Sequence, residues 1–336
     1  MPEAKPPRIL VTMGDPAGVG AEVAAGVWDD ERLHAAGQIA VVGDPEVFRR
    51  AVALRKTNAR VVPFDSCEQP LFDTASPNTM PCLRSPGPPE RIAFEAIRQA
   101  AGLAKAGQID AMVTGPISKA ALQAAGYNYP GHTELLADLC GVKAFAMMLH
   151  LPRTVLAQCP YGLSVVHVTL HTSLRSVFDQ LSEGAIVEKC RLADRAVRAF
   201  GAEQPRVGVA ALNPHAGEEG LFGDEESRII RPAVAIARSE GIHASGPHPV
   251  DTLMVRASHG EFDAVVAMYH DQGHIALKLL GMHQAVNVTL GLPIVRTSVA
   301  HGTAPDIAWQ GVAETSGLLA ATETAAHLCR VAPAPR

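Results

Sequence analysis

The chain has 336 residues, of which 47% are hydrophobic and 19% charged, with a formal net charge of −5; this is room for two domains and a large core. That balance gives no sign of a polyanion-binding surface, so nucleic acid is not an expected partner and any basic site has to be local. The six cysteines are scattered with no C-x-x-C pair, and no apolar run approaches the ~20 residues of a membrane span, so a soluble cytoplasmic protein with reduced thiols is expected.

Arg8 to Thr12 reads as a strand, followed by a turn, Gly14-Asp15-Pro16-Ala17-Gly18-Val19-Gly20, that feeds a helix from about Ala21. The glycine spacing is neither a dinucleotide fingerprint nor a Walker loop, and the turn by itself needs glycine only for backbone reasons. The same unit recurs at Ile39 to Pro45, which makes a parallel α/β sheet the expected class. Residues 63–90 are rich in Pro, Ser and Asn and predict loops with short edge strands. A helix is predicted over Glu90 to Ala106 and a buried strand over Asp110 to Val113, leading to Thr114-Gly115-Pro116-Ile117-Ser118-Lys119 at a helix start. An anion could bind there, although a plain N-cap accounts for Thr114 and Ser118 equally well.

Gly126 to Thr133 is too rich in Gly, Pro and Asn for regular structure, and it delivers His132 and Thr133 to a helix through Leu139. Strands are predicted at Ala146 to Leu149 and Ser164 to Val168, then one helix of roughly two dozen residues to about Phe200. A strand over Arg206 to Ala211 ends at Asn213-Pro214-His215; an acidic loop, Glu218 to Glu226, and a helix to about Ser239 follow. Gly246 to Asp251 reads as a rigid loop. The apolar run Ala264 to Met268 is a buried strand that stops at the polar cluster Tyr269-His270-Asp271-Gln272-Gly273-His274. Ligands sit at the carboxyl ends of such strands. Lys278, Asn287 and Arg296 then stand among apolar neighbours, two cations and an amide that suit an anionic ligand.

His171, His215 and His270 share one context, each just past an apolar strand in a loop of small and polar residues. A lone histidine there is usually a hydrogen-bonded structural residue. Three suit a divalent metal site with open positions, although no short local spacing such as H-E-x-x-H joins them.

Seven segments now carry a resemblance: GDPAGVG (14–20), TGPISK (114–119), GHTELL (131–136), LNPHAGEEG (212–220), YHDQGH (269–274), NVTLGLP (287–293) and RTSVAHGTA (296–304). Their order and spacing resemble the 4-hydroxythreonine-4-phosphate dehydrogenase family from about residue 8 to about 320. The resemblance implies two α/β/α domains with a cleft between them, similar to the isopropylmalate and isocitrate dehydrogenases. Residues 1–128 with 288–336 would form the cofactor side, and 129–287 the metal, substrate and dimerisation side. It implies a homodimer with a shared active site that oxidises a phosphorylated β-hydroxy acid with NAD⁺ or NADP⁺ and then loses CO₂. In pyridoxal phosphate biosynthesis this converts 4-phosphooxy-L-threonine into 3-amino-2-oxopropyl phosphate. The family's ligands to one divalent ion (Zn²⁺, Mg²⁺, Mn²⁺ or Co²⁺) fall on His171, His215 and His270. Its substrate contacts fall on His132, Thr133, Asp251, Lys278, Asn287 and Arg296.

The segment His301-Gly302-Thr303-Ala304-Pro305-Asp306 also resembles the adenosine-binding loop of the isopropylmalate and isocitrate dehydrogenases, in which an aspartate matched by Asp306 goes with NAD⁺. A carboxylate accepts hydrogen bonds from ribose hydroxyls and repels a 2′-phosphate; a cap on the following turn is the plainer explanation of Asp306. Ala21 stands where many relatives have proline, Ala300 where an aspartate is usual and Trp309 where a glycine is common; His150 to Gly162 is longer than the family's connection. HTELLA and HDQGHIALKLL lean towards D-threonate or D-erythronate 4-phosphate dehydrogenases, and part of 163–220 resembles aromatic cis-dihydrodiol dehydrogenases. From other classes, a metal-dependent hydrolase would have no use for a dinucleotide loop, and a non-catalytic sensor no use for a complete ligand set.

Overall fold

The computed structural model describes residues 5–124, 126–129 and 131–331; Pro130 of the Gly126 to Thr133 loop lies outside them, as do the chain's first four and last five residues. Twelve strands run in chain order among the described residues. They are β1 (Arg8–Thr12), β2 (Gln38–Gly43), β3 (Arg60–Phe64), β4 (Thr79–Arg84), β5 (Ala111–Thr114), β6 (Ala146–Leu151), β7 (Leu163–His167), β8 (Val207–Ala210), β9 (Ala244–His248), β10 (Ala264–Ala267), β11 (Val286–Leu290) and β12 (Val295–Val299). The chain divides into two compact units, Met1–Lys143 with Leu292–Arg336, and Ala144–Gly291. Against divisions expected at 128/129 and 287/288, this places the helix His132–Cys140 in the first unit.

The first unit holds a parallel sheet in the order β3-β4-β2-β1-β5-β12. β1 and β5 are almost wholly buried, as parallel strands covered on both faces are. Leu10, Ala40 and Met112 pack with Phe94, Ile97 and Leu135 from the helices Ile92–Lys105 and His132–Cys140, and the helix Ser316–Val331 packs on β5 and β12. The second Gly-Asp-Pro unit forms as a cap: the Asp44 carboxylate accepts the Glu46 N–H at 2.8 Å and Pro45 opens the helix Pro45–Arg55. One expectation needs correction. β4 is an internal strand between β3 and β2, not an edge, even though it contains Pro81.

The second unit holds strands in the order β11-β6-β7-β10-β8-β9; β7, β10, β8 and β9 are parallel, and β6 is antiparallel to both its neighbours. The helix Glu183–Ala199 packs on β7, β10 and β8, and the helix His270–Gly281 on β6, β7 and β10. The register of β8 beside β10 is fixed at its start by Asp263, whose carboxylate is buried. It accepts the Arg206 backbone N–H at 2.8 Å and two guanidinium bonds at 3.0 and 2.8 Å.

Two further expectations are corrected in this unit. The single helix predicted to Phe200 is two, Leu174–Gln180 and Glu183–Ala199, because Leu181 is extended and Ser182 starts a new helix by capping the Ala185 N–H. The Gly246 to Asp251 loop is in part a strand: β9 runs through Pro247 at the edge of the order, where a residue without an N–H is tolerated.

Candidate active site

In the second unit the site begins with strand order. β10 pairs in parallel with β7 on one side and β8 on the other. Their carboxyl ends therefore share one edge, from which the chain proceeds to His171 after β7, His270 after β10 and His215 after β8. Side chains tie these loops together. The Thr169 hydroxyl donates to the Met268 carbonyl at 2.8 Å, and the buried Gln272 side chain accepts the Met268 N–H at 2.6 Å and donates to the Ala211 carbonyl at 2.7 Å.

The rings of His171 and His270 are 6.1 Å apart, tilted by 40°, beside a pocket of about 310 Å³ lined by His171, Thr172, Tyr269, His270 and Asp271. His270 Nδ1 meets the Asp271 carboxylate at 2.7 Å, which leaves Nε2 to point elsewhere. This is the carboxylate–histidine arrangement that orients metal-binding imidazoles. Behind His270, His274 stacks on its ring at 3.8 Å and meets His167 Nε2 at 3.1 Å. Burial is the main cause that pushes His167 down to about 3 and His274 down to about 4, so both stay neutral at neutral pH. Lys278, one helical turn beyond His274, adds to that depression.

His215 has a different setting. It is exposed, with its ring 6.3 Å from that of Phe222. Among the described residues no group of three or more His, Cys, Asp or Glu side chains is drawn together in a form that could hold a metal. The structure thus brings His171 and His270 together and leaves His215 on a neighbouring loop. The donor chemistry fits a divalent cation: imidazoles at a common sheet edge, a carboxylate orienting one of them, and an open pocket in front. Asp251 is exposed in the first turn of the helix Val250–Ser258, its carboxylate accepting the Thr252 N–H at 2.8 Å. Asn287 lies in β11 with its Oδ1 buried and without a hydrogen-bond partner.

The first unit contributes another cluster. Arg296, in β12, is 1% exposed and donates to the Thr114 hydroxyl at 2.6 Å. Burial pushes its guanidinium down to about 9, against the pull of Glu134, so it is still charged at neutral pH. His132, at the start of its helix, has Nε2 buried without a hydrogen-bond partner. Burial above all, and then the Arg296 charge, push it down to about 3. Thr133 beside it is buried.

The Gly14 to Gly20 turn packs against two of the other segments singled out from the sequence. Gly14, at φ +75°, leaves only 2.5 Å between a would-be Cβ and the Pro116 carbonyl, and a Cβ on Gly18 would lie 2.9 Å from Thr303. Val19 N–H donates to the Thr303 carbonyl at 3.0 Å. His301, Gly302 and Asp306 are exposed, and Thr303 is half-buried. Trp309 has φ +62°, a backbone that favours glycine and so explains why glycine suits that position. Here the indole N–H donates to the Pro16 carbonyl at 3.0 Å and Arg50 lies over the ring at 4.1 Å. Sequence reasoning missed Glu22 and Arg55. Glu22 is fully buried and accepts the N–H of Trp309 at 2.8 Å, while Arg55 donates to the carbonyls of Gly311 and Ala313 at 2.8 and 3.1 Å. A carboxylate amid the apolar helix GAEVAAG was the signal available.

Loops at the carboxyl ends of parallel strands carry the imidazoles of the second unit, and each unit is by itself an α/β layer structure. The family model described as "Pyridoxal phosphate biosynthetic protein PdxA" matches residues 35–325, and the chain belongs to this family. It is 45% identical over 332 residues to a 4-hydroxythreonine-4-phosphate dehydrogenase of Beijerinckia indica, covering 95% of this chain and 94% of that one. It is 40% identical over 335 residues to a D-threonate 4-phosphate dehydrogenase of Salmonella typhimurium, covering 95% and 98%. The crystal structure of a 4-hydroxythreonine-4-phosphate dehydrogenase from Klebsiella pneumoniae superposes with a TM-score of 0.83 at 42% identity, covering 96% and 99%.

The depressed His132 contributes to a pH dependence of stability that His167 and His274 share. Its ordinary value is 6.5 and its folded value about 3, so below 6.5 the unfolded chain takes up a proton that the folded chain refuses. The stability it lends is complete above 6.5 and is lost as pH falls towards 3. The melting temperature should therefore fall between pH 7 and pH 5, and His132→Gln should flatten that slope. An unchanged slope in the variant would show that His132 is not among the groups responsible.

Proposed function

We propose that this chain is a metal-dependent oxidoreductase of the CH–OH group that oxidises a phosphorylated β-hydroxy acid with NAD⁺, with loss of CO₂. Within that class its substrate is 4-phosphooxy-L-threonine, giving 3-amino-2-oxopropyl phosphate for pyridoxal phosphate biosynthesis. The observation that carries the reading is the delivery of His171, His270 and His215 from the carboxyl ends of three adjacent parallel strands in a chain of this family. D-Threonate 4-phosphate is the second substrate considered, because relatives named for it are 40% identical over nearly the whole chain.

The roles follow from the chemistry of each group. His171, His270 and His215 would hold the cation, which when bound supplies Lewis-acid polarisation of the substrate's oxygens. Lys278 and Arg296 bind the phosphate through charge-assisted bonds; an anion beside Arg296 offsets part of the cost of burying its charge. His132 is kept neutral by burial, so its ring both donates and accepts, and its Nε2 has no other partner. Asn287 Oδ1 offers an acceptor to a substrate hydroxyl or ammonium group, and Thr133 and Asp251 complete the proposed contacts. Together these fix the reacting carbon. On the loop that follows β12, His301, Gly302, Thr303 and Asp306 are the proposed cofactor contacts. All six cysteines are free, which suits the reducing cytoplasm proposed as its location.

A panel of 4-phosphooxy-L-threonine, D-threonate and D-erythronate phosphates and a cis-dihydrodiol, assayed at 340 nm with NAD⁺ and a divalent cation, tests the assignment. Turnover should need both phosphate and metal. His171→Ala, His215→Ala and His270→Ala should each abolish it without unfolding the protein, and Lys278→Ala and Arg296→Ala should each cost roughly 1.5–3 kcal/mol in kcat/KM. Full activity after chelation, or a preference for the dihydrodiol, would sink the reading.

The Asp306 carboxylate is exposed on the proposed adenosine loop, where it would accept from the ribose hydroxyls and repel a 2′-phosphate. NAD⁺ should be preferred over NADP⁺, and Asp306→Lys should lower kcat/KM for NAD⁺ about tenfold, the loss of one charge-assisted bond. Equal efficiency with NADP⁺ in the unaltered protein refutes the assignment.

We further propose a homodimer. Ile275, Leu279 and Met282 form an exposed apolar stripe that begins on the helix His270–Gly281, with Leu279 83% exposed, and Leu174 and Phe178 are exposed on the helix Leu174–Gln180. Solvent-facing leucine and isoleucine at helical spacing mark a surface that a partner covers. Light scattering should give the mass of a dimer for the native chain and of a monomer for Leu279→Asp; a monomeric native protein at micromolar concentration would overturn the dimer.

A further inference from the structure

Glu226 is a carboxylate to which neither the resemblance nor the reading above gives a role. It is 2% exposed and opens a single π-helical turn, Glu226–Ile230, ahead of the helix Arg231–Ser239. Its Oε1 accepts the backbone N–H groups of Leu212 at 2.8 Å and Asn213 at 2.7 Å, and its Oε2 accepts the Asn213 side-chain amide at 3.0 Å. The same amide nitrogen donates to Glu225 at 2.7 Å. Glu226 therefore grips the two residues that leave β8 just before Pro214 and His215.

The backbone that follows the gripped residues is strained. His215, Ala216, Gly217, Glu218 and Glu219 have φ values of 53°, 55°, 81°, 44° and 55°, a left-handed run in which four of the five residues carry a Cβ. Such a run is unfavourable for L-residues and persists only where the surroundings over-determine it. Gly217 is the point of closest approach: a Cβ there would lie 2.8 Å from Glu226 Oε2. The entrance to the turn is held by hydrogen bonds to the carboxylate, and its middle lies against that same carboxylate.

We infer that Glu226 is a positioning residue: its carboxylate holds the left-handed turn in the conformation that presents His215 to the divalent cation. The inference rests on the reading of His215 as a ligand. It concerns a residue that does not touch the cation, since Glu226 is buried behind the loop while His215 is exposed. Glutamine at 226 keeps the volume and can still accept from the two backbone N–H groups. Its own amide would then face the Asn213 amide, donor against donor, and the turn would lose the Oε2 arm of its clamp.

The test is a Co²⁺ titration of the full, metal-stripped protein, followed by visible absorbance, with melting temperature measured on the same samples. Glu226→Gln should weaken Co²⁺ binding roughly 10–100-fold, the usual cost of losing a group that orients a ligand, and Asn213→Ala should act in the same direction. Val187→Ala, a core truncation in the helix Glu183–Ala199, should lower the melting temperature with Co²⁺ affinity unchanged. Should Glu226→Gln fail to fold, Asn213→Ala decides alone. Native affinity in Glu226→Gln and Asn213→Ala, with loss in His215→Ala, would overturn the positioning role and leave the ligand reading intact. Native affinity in His215→Ala would overturn both. A loss in Val187→Ala equal to that in Glu226→Gln would reduce the effect to general stability and overturn the proposal.

Discussion

The parallel pairing of β10 between β7 and β8 is the constraint on which the second unit depends. Parallel strands start and end together, so the loops that leave them share an edge however far apart they lie in sequence. His171, His215 and His270 are separated by long stretches of chain, including the helix Glu183–Ala199. Only the register of Ala264 with Ser164 and Val207 brings their loops to one place. That register is held at its start by the Asp263–Arg206 pair and at its end by Gln272, which bridges Met268 and Ala211.

Electrostatics shape the polar cluster within each unit. In the second unit His167 and His274 are held neutral behind His270, so a cation placed before His270 meets dipoles rather than like charge. In the first unit the opposite device operates. Arg296 keeps its charge in a buried setting while His132 beside it is driven neutral. The pair therefore carries a single positive charge, because the neutral imidazole does not take up a second proton near pH 7.

The loop after β12 is held by a third buried charge. Glu22, on the first helix of the chain, accepts the Trp309 N–H and lies 3.8 Å from Arg55, which itself binds the carbonyls of Gly311 and Ala313. The tryptophan sits on a positive-φ backbone that glycine would take more easily, and its indole bond to Pro16 and its contact with Arg50 offset that strain. The loop after β12 and the turn after β8 share one feature: a buried carboxylate, Glu22 or Glu226, accepts loop N–H groups beside a positive-φ backbone.

Much of this was legible in the chain as written. Short β-branched runs bounded by Gly, Pro and Asp gave the strands, because burial on both faces leaves an uninterrupted apolar signature; the seven segments in register identified the family and its candidate residues. Local signals failed where tertiary context outweighed propensity: Pro81 lies inside an internal strand, Pro247 inside an edge strand, and Ser182 splits what periodicity reads as one helix. The partners of Glu22 and Glu226 were not legible. A buried carboxylate differs from a solvated one only in its neighbours, and those lie 287 residues away for Trp309 and 13 for Asn213. Sequence by itself therefore determined which elements form and which chemistry the chain carries. Tertiary structure decided which groups meet and which charges are stripped of water, because register and burial depend on contacts between distant parts of the chain.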